Sequence, residues 1–214
     1  MKNKLVSLAA ITLMSCGSAQ AAVVFGNLGS DGAGAISTTS GTTLNDITWR
    51  AQGFTIGAGV TDLVLAAVTI GFNVSSGGSA DVRLDLYSNN TGVPGSSLFN
   101  TTKTLAANTL NLPITFDFNQ TLSAATTYWI VAQKTDGAGT LVWRPASPTA
   151  APTTRNASGW TNGGGSTSSD DGVTWVSTGN GTSNSISITA VPEPSAFVML
   201  SLGAIGLVAR RRRL

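Results

Sequence analysis

Histidine is missing from this 214-residue chain, and its single cysteine, Cys16, lies near the N-terminus. Beyond Cys16 there can be neither an ordinary Ser–His or Cys–His nucleophile pair nor a disulfide. Glutamate occurs once, at Glu193. Charged residues make up 10% of the chain, against about 25% in ordinary globular proteins. Gly, Ser, Thr, Asn and Ala take their place, a composition that suits an exported β-rich protein better than a cytosolic enzyme. No apolar run reaches the ~20 residues that comfortably span a bilayer.

Net positive charge is scarce once its location is considered. The overall pI of 9.0 owes much to Lys2, Lys4 and Arg210, Arg211, Arg212 and Arg213 at the two ends. Between residues 22 and 190, six bases stand against nine aspartates, a net of −3. A mildly acidic body has no electrostatic basis for holding nucleic acid.

The chain reads as three parts. Residues 1–21 have the form of a secretory signal peptide: Lys2 and Lys4, an apolar stretch over Leu5–Met14, then Ala19-Gln20-Ala21 as a small-residue cleavage site. Export through the Sec translocon and cutting by signal peptidase would leave Ala22 first in the mature chain. Leu13-Met14-Ser15-Cys16 offers a competing reading, a lipoprotein leader with Cys16 lipidated.

Residues 22–190 form the body. Apolar residues alternate with polar ones at Leu110, Leu112, Ile114, Phe116 and Phe118, with Pro113 marking an edge strand or a bulge. Val82, Leu84 and Leu86 alternate with Arg83, Asp85 and Tyr87, and Val64, Ala66, Val68, Ile70 and Phe72 give another apolar face. Further strands are expected near 52–56, 127–133, 140–143, 172–177 and 185–189. Ser75-Ser76-Gly77-Gly78, Asn89-Asn90-Thr91-Gly92, Asp136-Gly137 and Asn180-Gly181 supply turns between strands. The fold expected is all-β, an antiparallel β-sandwich of jelly-roll-like character. Residues 146–171, rich in Pro, Gly and Ser, predict a long surface loop with Trp160 pinned to the body.

Chemistry has few carriers here. Most of the aspartates sit beside Gly, Ser or Asn, as turn formers do. They leave a carboxylate-dependent glycoside hydrolase as a remote alternative. Asp170-Asp171-Gly172 lacks the ligand spacing of a calcium loop. Neither a metal nor a cofactor is expected. Aromatic rings suggest a carbohydrate-binding module instead: Trp49, Trp129, Trp143, Trp160, Trp175, Tyr87 and Tyr128 are available for a flat platform, with Tyr87, Trp129 and Trp160 as the candidate sugar-stacking residues.

Residues 191–214 carry the most specific pattern. Pro192-Glu193-Pro194 cannot be helical throughout, because each proline extends the residue before it. An apolar stretch over 195–209 follows, then Arg210–Arg213. As a helix that stretch is ~22 Å long, short of the ~30 Å hydrocarbon core, so arginine snorkelling would complete a short transmembrane helix. The positive-inside rule keeps the arginines cytoplasmic and the body outside, in agreement with the signal peptide.

Pro192, Glu193 and Pro194, the apolar stretch and Arg210–Arg213, in that order, resemble the PEP-CTERM sorting signal of exopolysaccharide-producing Gram-negative bacteria. The resemblance implies recognition by a membrane-embedded exosortase that removes the helix and basic tail. Ala51-Gln52-Gly53-Phe54-Thr55, Leu84-Asp85-Leu86-Tyr87-Ser88, Gly92-Val93-Pro94-Gly95, Leu122-Ser123-Ala124 and Thr127-Tyr128-Trp129 resemble the choice-of-anchor R domain, which implies a β-sandwich and assigns no chemistry. The protein expected is an exported surface or matrix component associated with exopolysaccharide or biofilm. Its precursor would reside in the inner membrane before release to the periplasm, outer surface or matrix. It is expected to be an enzyme's substrate and not an enzyme.

Overall fold

A computed structural model describes residues 21–28, 36–38, 40–58, 60, 63–146, 153–154, 159–179 and 184–192. The regular elements there are all strands. They are β1 (Ala22–Gly26), β2 (Thr42–Leu44), β3 (Trp49–Ile56), β4 (Leu63–Val74), β5 (Ala80–Asn90), β6 (Val93–Leu105) and β7 (Leu112–Leu122), followed by β8 (Thr127–Asp136), β9 (Leu141–Trp143), β10 (Thr153–Thr154), β11 (Trp160–Ser168), β12 (Val176–Gly179) and β13 (Ile186–Pro192). They make two antiparallel sheets packed as a sandwich. One runs β12-β11-β3-β8-β5-β6. The other centres on β4, with β7 along one side and β13 then β9 along the other; β1 and β10 extend it beyond β13, and β2 beyond β9.

Alternation along the strands builds the core between the sheets. Val82, Leu84 and Leu86 on β5 and Tyr128, Ile130 and Ala132 on β8 face Val68, Ile70 and Phe72 on β4 and Ile186 and Ile188 on β13 within a single apolar cluster. Its aromatic members fall into two groups. Phe54 stacks on Trp160 at 5.5 Å and lies 6.0 Å from both Tyr128 and Phe25. Phe72 meets Phe116 and Trp143, each at 6.3 Å. The Trp143 indole N–H donates to the Ser185 carbonyl at 3.0 Å, so its polar atom is satisfied within the core.

Several expectations need correction. The loop predicted over 146–171 contains β11, paired to β3 along its whole length. A backbone close approach explains how so glycine-rich a segment joins a sheet. At a bulge between Asn162 and Gly164 the strands come together at Gly163 and Gly53, and a Cβ on Gly163 would lie 2.9 Å from the Gly53 carbonyl carbon. The buried Gln52 amide bridges the bulge, donating to Asn162 Oδ1 and the Gly164 carbonyl, both at 2.9 Å.

The apolar face read over 64–72 holds for Val68, Ile70 and Phe72 only. Pairing shifts at Leu65–Ala67, so Leu63 and Leu65 point inward while Val64 and Ala66 do not. On β7, Ile114, Phe116 and Phe118 face inward, but Leu112 and the preceding Leu110 are exposed. Among the described residues β7 pairs with β4 alone, which agrees with the edge position expected from Pro113. The thirteen-residue β6 was unforeseen because few of its side chains are buried at the other sheet's edge.

Candidate functional site

Two places could carry function: the strand that leads into the tail, and the outer face of the six-stranded sheet. β13 lies between β1 and β4. On one side Ala190, Val191 and Pro192 pair with Leu65, Val64 and Leu63; on the other Thr189 and Ala190 pair with Val23 and Ala22. Ile186, Ile188 and Ala190 are buried. Ala22, the expected first mature residue, thus sits one strand spacing, about 5 Å, from the start of the tail. Pro192 has no N–H to offer a neighbouring strand, so the first proline of the motif ends the donor ladder. Ala21 is exposed. Ala19, Glu193, Pro194, the expected helix and Arg210–Arg213 lie outside the described residues. Among the described residues no helix is long and apolar enough to cross a membrane.

The outer face of the six-stranded sheet carries a second, small apolar cluster. Ala51, Trp129 and Val131 are buried there, covered by the partly exposed rings of Trp49, Tyr87 and Trp175. Trp129 donates from its indole N–H to Asn89 Oδ1 at 3.0 Å, and the same oxygen accepts from Gly92 in the turn joining β5 to β6. The cover is supplied by the turn before β12. Asp171 and Gly172 both have positive φ, and the Gly172 backbone lies so close to Trp49 that a Cβ would come within 2.4 Å of the ring. Asp170 holds the turn by accepting from Ser168 Oγ at 2.7 Å and from the Thr174 amide and hydroxyl. These hydrogen bonds, those from Thr174 foremost, hold its carboxyl below the usual carboxylate range. Asp170 therefore acts as a turn cap.

Beside the aromatics lies Asp85. Its place opposite Leu84 and Leu86 predicted a surface residue, yet it is wholly buried. Arg83 Nη2 at 2.7 Å and Ser97 Oγ at 2.9 Å donate to Oδ1, and Gln133 Nε2 at 3.1 Å donates to Oδ2. Burial, then the Asp85 charge, raises the Tyr87 phenol above its ordinary pKa. The hydroxyl therefore stays protonated and able to donate at neutral pH.

This arrangement revises the proposed stacking residues. Trp160 is 2% exposed and sits between the sheets on Phe54; Trp129 is 1% exposed beneath the outer rings. Neither offers a free face. Tyr87 does reach the surface, alongside Trp49 and Trp175, two of the other aromatics available for a platform. Trp175 crosses Trp49 at 59° and Tyr87 at 69°, so the three rings form a ridged cluster and not a flat platform. A separate shallow polar depression of about 250 Å³ is lined by Asp46, Lys134, Thr135, Asp136 and Gly137.

The body is thus a β-sandwich whose central strand runs directly into a terminal signal, the organisation of a protein addressed through its tail. Residues 190–213 match the PEP-CTERM protein-sorting motif. The match supports export and sorting to the cell surface, with an exosortase as the processing partner. No curated protein and no solved structure matches the chain.

Proposed function

We propose that this protein is an exopolysaccharide- or biofilm-associated component of the bacterial surface or extracellular matrix. Sec and signal peptidase deliver its precursor to the inner membrane, and an exosortase then removes the tail. The observation that carries this reading is the sorting-motif match over 190–213, beginning inside a central strand of the body. The segments likened to the choice-of-anchor R domain fall on β3, β5, the start of β6, the end of β7 with the turn after it, and β8. They fit a structural body that needs no chemistry of its own. The absence of histidine, and of cysteine beyond Cys16, supports a substrate and not an enzyme.

Intact mass spectrometry of the protein from wild-type cells and from cells lacking the exosortase tests the sorting reading. A shortened C-terminus only in wild-type cells is expected. A full-length C-terminus in wild-type cells would sink it.

The ridged cluster of Trp49, Tyr87 and Trp175 favours a second reading, in which the body binds polysaccharide across the outer face. Partly exposed rings beside a protonated phenol and the Arg83 guanidinium suit a neutral or acidic sugar chain. Tyr87→Ala combined with Trp175→Ala should abolish retention of the body by the host's own polysaccharide in affinity electrophoresis. Unchanged retention would leave the structural reading alone.

A further inference from the structure

We infer that the sandwich itself sets the boundary of tail removal: β1 holds β13 as far as Ala190 and β4 holds it through Pro192, so the processing enzyme acts beyond Pro192 and the strand stays with the body. This rests on the sorting reading above, although the clamp can be tested without it.

The register carries the argument. A processing enzyme needs its peptide extended, with backbone groups free to be bound. Those of β13 are engaged on both sides, by β4 from Ile186↔Ile70 to Pro192↔Leu63 and by β1 from Ser187↔Gly26 to Ala190↔Ala22. Alternate side chains, Ile186, Ile188 and Ala190, are buried in the core. Freeing the strand as far as Ala190 would open the middle of a sheet, and freeing Val191 would break its pairing with β4; such openings lie at the rare end of native fluctuations. Pro192 then has two roles. It is the first residue of the motif, and its missing N–H stops the ladder there. The clamp also brings the mature N-terminus beside the tail, so the first strand after the leader protects the last strand before the cut.

The body's lack of cysteine makes a direct test simple. Ala22→Cys with Ala190→Cys, and separately Val23→Cys with Thr189→Cys, should form an intramolecular disulfide on mild oxidation. Its signature would be a mass loss of two hydrogens and a rise in Tm that reduction reverses. Free thiols in both pairs would overturn the clamp.

Digestion of the full-length precursor with a broad-specificity protease should give a stable core ending at Pro192 or later. Early cuts within 186–191 would overturn it. In the processed protein from its host, a C-terminus at Pro192 or beyond is expected. A mature end within 186–191 would refute the boundary while leaving sorting intact. An unprocessed end would refute sorting while the disulfide and digestion results still judge the clamp.

Discussion

Gly163 and Gly53 meet backbone to backbone, and that contact decides whether β11 can join the sheet. A methyl group on Gly163 would lie 2.9 Å from the Gly53 carbonyl carbon and 3.0 Å from the Phe54 nitrogen, main-chain atoms that cannot swing aside. Gly163→Ala should destabilise the body by about 1–3 kcal/mol in urea unfolding, the range for overpacked sites. Asp85→Ala works differently, leaving Arg83, Ser97 and Gln133 as donors without their acceptor. Its expected cost is about 2–3 kcal/mol, limited because Arg83 still reaches water. Asp170 sets an acid response. Its folded pKa is depressed, so its contribution is fully present above the ordinary carboxylate pKa of about 4 and is lost as pH falls through the lower folded value. Acid titration should change the fluorescence of Trp49 and Trp175, and Asp170→Ala should remove that transition. At this scale the sequence was half legible. Alternation put Asp85 on the correct face, but its burial depends on Ser97 and Gln133, which lie on neighbouring strands and leave no local mark near Asp85.

At the scale of the element, β11 separates composition from context. Gly, Ser and Thr dominate it, and propensity assigns such a segment to a loop. Two features hold it in the sheet: pairing with β3, and Trp160 driven between the sheets against Phe54. Trp160→Ala should therefore cost about 3–5 kcal/mol, as large aromatic truncations in cores do. Loss of amide protection should concentrate in β11 and β12, since among the described residues β12 pairs only with β11. A loss spread evenly over both sheets would contradict the role of Trp160 as that element's anchor. Strands with one buried face, such as β5 and β8, were legible because water on one side and core on the other impose period two. β6 escaped because an edge strand with few buried side chains lacks that signal. β4 was legible only in part because a bulge midway along it changes which residues face the core.

For the whole molecule, the consequential feature is the position of β13 within its sheet. The order of Pro-Glu-Pro, apolar stretch and arginines could be read in one pass, since all its parts are contiguous. What could not be read was that the body's last strand lies inside the sheet, because its neighbours β1 and β4 are far away in sequence. That placement separates two ways of shortening the chain. Ending the mature chain at Pro192 leaves every pairing of β13 in place, so Tm should match that of the body carrying its tail. Ending it at Ser185 removes Ile186 and Ile188, both fully buried, along with the ladders to β1 and β4. Burial of the two isoleucines alone stabilises by roughly 3–6 kcal/mol. With a ladder lost on each side, the deficit rivals the 5–15 kcal/mol that typically separates folded from unfolded domains. The chain ending at Ser185 should show no cooperative thermal transition by circular dichroism. A synthetic peptide spanning 186–192, added in excess, should restore folding by filling the gap between β1 and β4. A cooperative transition in the shortened chain without the peptide would mean that the body is complete before the tail strand begins, and the sorting signal would then hang from the sandwich instead of growing out of it.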